Sequence, residues 1–218
     1  MTKLDNAHFN MLEQQVRPSD VLDPRVLDAL SCIDRADFVD ESLAGLAYAD
    51  TDLPIGFGQV ILSPVVQGRL LQALNVQADE DVLEIGTGSG YFTALLATLA
   101  NYVTSIEVVP ELSALAGENL AKAKVDNVQL MVGDASHDCL STDRVKVIIS
   151  TAALTKVPDA FLQSVSVGGR ILAVVGEGDA MTVQQTHRIN EREWQTTTLF
   201  ETVVPEMINA EAKPVFEF

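Results

Sequence analysis

Apolar positions in this chain fall into two rhythms, and the switch between them comes near residue 79. In the first part they recur at helical spacing. Phe9, Met11, Leu12 and Val16 predict a short apolar helix ended by Arg17-Pro18. Asp23-Pro24 supplies a capping side chain and a proline for the first turn. Val26, Leu27, Leu30 and Ile33 then share one face. The rhythm lapses over 51–62, where Leu53-Pro-Ile-Gly-Phe-Gly-Gln-Val-Ile-Leu reads as a loop punctuated by glycine and proline. Ser63-Pro64 repeats the cap-then-proline signal ahead of a helix with Val66, Leu70 and Leu74 on its buried stripe.

From residue 81 short apolar runs alternate with helical stretches. Strands are predicted at 81–85, 102–107, 128–132, 145–150 and 170–175, the last after Gly168-Gly169. Helices are predicted at 91–100, 110–124 and onward from Pro158. That alternation is the mark of an α/β fold with a doubly wound, mostly parallel sheet. Met181–Ile189 and Trp194–Val204 alternate with period two and predict an antiparallel hairpin at the end. The chain divides into N-terminal helices with a loop (1–78), a strand–helix core (79–206) and a C-terminal arm (207–218), together one domain at 218 residues.

The stretch with the most chemistry is Asp81-Val-Leu-Glu-Ile-Gly-Thr-Gly-Ser-Gly-Tyr-Phe, a buried strand, a glycine turn and a helix start. Gly86, Gly88 and Gly90 let the backbone pass close beneath a ligand, and the free N–H groups opening the helix face it. By itself such a turn serves equally well as a tight structural connection. A dinucleotide fingerprint wants a third small residue where Tyr91 stands. The spacing Glu84-x-Gly86-x-Gly88-x-Gly90 is instead the form seen in S-adenosylmethionine (AdoMet) methyltransferases.

Ligands of open α/β sheets sit at the carboxyl ends of the strands, and three acidic residues fall there. Glu84 lies beside the glycines. Glu107 closes the second strand, about 20 residues beyond the first glycine, where a carboxylate accepts from ribose hydroxyls. Asp134 ends the third strand and is placed to accept from an adenine amino group. Each alone reads as a solvated loop charge; all three in succession behind the glycine turn read as a nucleoside site.

Composition narrows the class. Asp and Glu number 31 against 14 Lys and Arg, a net charge of −17, and no basic face exists for a nucleic-acid backbone. No run of about 18 apolar residues predicts a membrane span, and Met1 to His8 lacks the apolar core of a signal peptide. Cys32 and Cys139 lack metal-ligand spacing, so no metal site is predicted and a reduced, cytoplasmic protein is expected.

Nearly the whole chain resembles the protein-L-isoaspartate (D-aspartate) O-methyltransferases. The resemblance runs through Met11-Leu-Glu-Gln-Gln-Val-Arg, Asp23-Pro-Arg-Val-Leu-Asp-Ala, Phe38-Val, Ala47-Tyr-Ala-Asp and Leu53-Pro-Ile-Gly. It continues in Val82-Leu-Glu-Ile-Gly-Thr-Gly-Ser-Gly-Tyr, Ser105-Ile-Glu, Asn127-Val, Gly133-Asp, Thr151-Ala-Ala, Val157-Pro, Gly168-Gly-Arg and Val175-Gly-Glu-Gly. It implies a seven-stranded, Rossmann-like AdoMet methyltransferase fold with an N-terminal helical addition. It also implies methylation of isoaspartyl carboxylates in aged proteins, with S-adenosylhomocysteine (AdoHcy) as by-product. The implied cofactor contacts are Gln59 and Val60 from the 51–62 loop, Glu84 through Tyr91 (Ile85, Gly86, Thr87, Gly88, Ser89 and Gly90 between them), Glu107 with Val108, and Asp134 with Ala135.

The acceptor side departs from the family pattern. Where that loop usually reads Gly-Gln-Thr-Ile-Ser-x-Pro, this chain has Gly58-Gln-Val-Ile-Leu-Ser-Pro, so Leu62 stands at the serine position and both hydroxyls are gone. Ser63 is read either as a substitute or as a helix cap, and Thr151 is the other retained hydroxyl. His137 is read as a surface loop residue rather than a base. A different acceptor, such as a small apolar molecule against Val60 and Leu62, or a non-catalytic AdoMet or AdoHcy binder, stays open. A monomer or weak dimer is expected.

Overall fold

In the computed structural model, residues 3–136 and 144–210 are described. Helix α1 (Lys3–Met11) runs on through a π turn at Leu12–Val16 and a 3-10 turn at Arg17–Ser19. The predicted stop at Arg17-Pro18 is therefore passed. Pro18 sits in the first turn of the new segment, where its missing N–H costs nothing, and the path ends at Asp20 with φ +65°. Helix α2 (Pro24–Cys32) is capped by the Asp23 side chain, which accepts from the Arg25 N–H.

The stretch read as a loop is a small hairpin. Strands β1 (Leu53–Gly56) and β2 (Gln59–Ile61) pair antiparallel, with Gly56, Phe57 and Gly58 all at positive φ in the turn. Four and three residues are too few to show a period of two. Helix α3 (Pro64–Leu74) follows.

The core then alternates β3 (Asp81–Ile85), α4 (Tyr91–Leu99), β4 (Tyr102–Glu107), α5 (Pro110–Lys122), β5 (Val128–Val132), β6 (Val145–Leu154), α6 (Asp159–Ser164), β7 (Val165–Glu177), β8 (Ala180–Asn190) and β9 (Glu193–Glu201). One seven-stranded sheet has the order β5-β4-β3-β6-β7-β8-β9; its first five strands run parallel and its last two antiparallel. Strands β6 and β7 are longer than predicted. Gly168-Gly169 marks a close approach inside β7 rather than a break, because a Cβ on Gly169 would stand 2.5 Å from the Lys146 carbonyl.

Side-chain alternation along the strands builds a core on each face. Val82, Val103, Val147, Leu172 and Val174 join α4 and the N-terminal helices in the larger one. Leu83, Ile85, Ile106, Ile148 and Ile171 pack with Phe161 of α6 in the smaller. Beyond β9 the chain returns to the end of β6: the Ala153 N–H donates to the Pro205 carbonyl, and the Met207 N–H donates to the Ala153 carbonyl. Met207 and Asn209 are thereby carried to the carboxyl ends of the strands. Among the described residues no helix is long and apolar enough to cross a membrane.

Candidate active site

The glycine turn joins β3 to α4 at the centre of the sheet, where the connections diverge to either side. Gly86 has φ +96°, and a Cβ there would stand 2.6 Å from Thr151 Oγ1. Thr151 closes on the turn from β6: its hydroxyl lies 2.9 Å from the Gly86 carbonyl and 3.2 Å from the Ile85 carbonyl, donating to them. The side chain thus fixes the backbone path that a ligand must lie against.

Glu107, at the end of β4, is buried and holds the same turn from the other side. Its Oε2 accepts from the Gly88 N–H at 2.8 Å and its Oε1 from the Val109 N–H at 3.0 Å. Each oxygen keeps a second lone pair, the pair a vicinal diol needs. Asp134, past the end of β5, is braced by the Ser136 N–H and hydroxyl on Oδ1 and by the Asn209 amide on Oδ2.

These groups line one open cleft with about 860 Å³ of empty space, mouth included. Ile85, Gly86, Thr87, Gly88, Ser89, Tyr91, Glu107, Val108, Asp134, Ala135 and Thr151 form the sheet side. Gln59, Val60 and Leu62 line the cleft from the hairpin side, with Ile55. The hairpin lies directly over the turn, since a Cβ on Gly88 would come within 3.1 Å of Ile55 Cδ1. That segment is the roof of the cleft.

Three predicted residues are placed elsewhere. Glu84 is on the face of β3 shared with Val82, so its carboxyl points under the sheet surface and away from the cleft. It is fully buried, and the Thr93 and Ser105 hydroxyls donate to its Oε2 at 2.5 and 2.6 Å. Burial pushes its carboxyl up to about 8, against hydrogen bonds from Ser105 and Thr93 that lower it, which favours the neutral form. Ser105 also meets the Thr87 hydroxyl at 2.6 Å, which ties the acid to the turn from below. Gly90 packs on Ala116 beneath the helix start. Ser63 does not line the cleft and its side chain makes no cap bond either. Instead its N–H donates to Asp52 and the Val65 N–H to Asp50, so those two carboxylates cap α3. His137 lies outside the described residues.

Sequence reasoning passed over Gln67, Ser136 and Met207, which also line the cleft. Gln67 left a signal: it is an amide on the stripe of α3 otherwise made of Leu70, Leu71 and Leu74, and it is only 2% exposed. Met207 and Asn209 left none, because only the pairing at Ala153 brings them in.

The strand order, the glycine turn on the central strand and the seven-stranded sheet with its antiparallel end are those of the AdoMet-dependent methyltransferase fold. The structure superposes with a TM-score of 0.80 on a Plasmodium falciparum protein described as a protein-L-isoaspartate O-methyltransferase and solved in complex with S-adenosyl-L-homocysteine. That match covers 92% of this chain and 97% of the other at 19% identity, a likeness of fold. The chain belongs to the protein-L-isoaspartate (D-aspartate) O-methyltransferase family, whose family model matches residues 6–207. It is 44% identical to the protein-L-isoaspartate O-methyltransferase of Anaeromyxobacter dehalogenans over 173 residues, 79% of this chain and 81% of that one. With the Yersinia pestis enzyme of the same name it shares 40% over 172 residues, 79% and 83% of the two chains.

Proposed function

We propose that this protein transfers a methyl group from AdoMet to the carboxylate of isoaspartyl residues in damaged polypeptides. The observation that carries the proposal is the convergence of the Gly86–Ser89 turn, Glu107 and Asp134 on one cleft roofed by the hairpin. The residues fit an adenosyl cofactor. Glu107 has lone pairs left for both ribose hydroxyls, and Asp134, Ala135 and Val108, which line the same cleft, would hold the adenine. The Ser89 hydroxyl is buried with no hydrogen-bond partner, an orphan that a polar ligand group would satisfy.

When bound, AdoMet supplies an electrophilic methyl on a positively charged sulfur. The protein's own task is alignment and exclusion of water. A carboxylate acceptor is already ionised at pH 7, so no residue is needed as a base. The hairpin wall of Val60, Leu62 and Ile55 presents hydrocarbon to the acceptor, which strips water from the anion. Replacement of a serine by Leu62 removes one hydrogen-bond donor, a loss worth about 10²–10³ in rate where such donors act on developing charge. Turnover is therefore expected to be slow, not absent.

A second reading shares the fold and the cofactor but takes a small apolar acceptor, favoured by the same hydrocarbon wall. Tritiated-methyl transfer separates the two: label entering an isoaspartyl peptide and not its aspartyl isomer supports repair, and label entering only small acceptors supports the alternative. Binding of AdoHcy by calorimetry tests the cofactor; no heat at millimolar ligand would refute it. A cytoplasmic setting goes with the proposal on the sequence grounds above, and sedimentation tests the expected monomer or weak dimer.

A further inference from the structure

Besides Ser89, two more buried polar groups on the cleft wall lack partners. Gln67 of α3 is 2% exposed, its Oε1 is buried without a hydrogen bond, and its amide makes none among the described residues. Tyr91, the first residue of α4, is 1% exposed, and its hydroxyl is likewise buried and unpartnered. An unmade buried hydrogen bond is costly, and a polar ligand in the cleft that both residues line would remove that cost.

Behind Tyr91 lies a fully buried arginine. Arg35 donates to the carbonyls of Ala47 (2.7 Å) and Leu62 (2.9 Å), with longer contacts to Thr51 and Ile61, while its Nε has no partner. Among the described residues no carboxylate lies within ion-pair distance of it. Its nearest charge compensation comes at longer range from Asp52 and Asp50, already engaged in capping α3. An arginine keeps its charge even when burial pulls its pKa down, as here. Burial raises the Tyr91 phenol well above its usual range, against a lowering by Arg35, so it remains an O–H donor. The carboxylates of Glu107, at the end of β4, and Asp134, just past the end of β5, stand among the sheet-side residues of the cleft. Gln67 and Tyr91 line the same cleft and offer neutral donors backed by a buried cation.

We propose that Gln67 and Tyr91 form a carboxylate-binding subsite, with Arg35 behind them setting its positive potential, which takes over the hydrogen bonding that Leu62 cannot provide. The subsite rests on the AdoMet reading of the cleft. Two carboxylates reach a cleft of this kind: the acceptor's, and that of the amino-acid end of AdoMet or AdoHcy. The amide N–H of Gln67 and the O–H of Tyr91 would both donate to it; Gln67 and Tyr91 touch the ligand, and Arg35 is a positioning residue.

The test uses the full-length protein with Gln67→Leu, Tyr91→Phe and the double replacement. Calorimetry measures AdoHcy and 5′-methylthioadenosine, which keeps the adenosine thioether but has no carboxylate; a methyl-transfer assay measures KM and kcat on an isoaspartyl peptide. Hydrogen bonds to charged groups predict a loss of about 10–100-fold per replacement for the carboxylate ligand. Loss of AdoHcy affinity, with methylthioadenosine unchanged, assigns the subsite to the cofactor's carboxylate. A raised peptide KM at unchanged AdoHcy affinity assigns it to the acceptor's. If neither moves, or if methylthioadenosine weakens as much as AdoHcy, the subsite is overturned. Because the replaced atoms have no partners in the free protein, melting temperature should hold or rise, and a large fall also counts against the inference. Failure of the unaltered protein to bind either nucleoside would overturn the AdoMet reading itself, a different result from failure of the variants to discriminate.

Discussion

At the end of the cleft built by β4 and β5, both oxygens of Glu107 and both of Asp134 already accept from neighbouring N–H or O–H groups. Elsewhere along the cleft, Gln67 and Tyr91 each keep a buried oxygen with no hydrogen bond made. The first arrangement is rigid before any ligand arrives, because each carboxylate is locked by the backbone it braces. The second is left incomplete, so its energy is realised only on binding. A satisfied end suits a part of the ligand that never changes, and an unsatisfied end suits the part by which ligands differ.

The harshest way to break the satisfied end is Gly86→Ala. The new methyl would meet Thr151 Oγ1 at 2.6 Å in a left-handed backbone conformation, φ +96°. A strained residue of that kind costs about 1–3 kcal/mol, and AdoHcy affinity is expected to fall by about 10²-fold or more, read by thermal melting and calorimetry together. Glu107→Gln is milder. It turns one acceptor into a donor facing an N–H of Gly88 or Val109, and should weaken AdoHcy and methylthioadenosine alike by about 10–100-fold. Equal losses for both nucleosides would sharpen the contrast with Gln67 and Tyr91, which are expected to distinguish them or spare them.

At the unsatisfied end, Leu62→Ser restores a hydroxyl against the acceptor. About a tenfold rise in kcat on an isoaspartyl peptide is expected, with AdoHcy affinity within about twofold. An unchanged kcat would mean that the wall does not adjoin the reacting carboxylate. An effect on stability instead of activity concerns Glu84, beneath both ends. Folded, it holds its proton up to about pH 8; unfolded, it releases near its ordinary 4.5. Between those values the native state binds the extra proton, so stability falls as pH rises, by at most about 1.4 kcal/mol per pH unit. Glu84→Gln should flatten that slope in urea titrations run from pH 5 to 9.

The satisfied end was the legible one. Glu107 and Asp134 announce themselves because strands end on them, and strand ends are marked by apolar runs of fixed length. Glu84 carried the same signal and proved to serve a different purpose, since a period of two leaves open which face of β3 looks toward a ligand. The hairpin escaped detection because its strands are shorter than any period, and Arg35 because a buried cation bonded only to carbonyls leaves no pairing pattern in the sequence. Met207 and Asn209 depend on one bridge at Ala153, a contact no local rule foretells.

Among the described residues strands β1 and β2 pair only with each other, and a two-stranded ribbon by itself is marginal in water. What steadies it comes from its own N-terminal side and from the head of α3: Arg35 grips its last carbonyls, and Asp52 grips the residue after them. The roof is therefore portable. Exchanging residues up to about 74 between relatives would carry Leu62 and Gln67 along with the roof, while Tyr91, Glu107 and Asp134 stay with the recipient sheet.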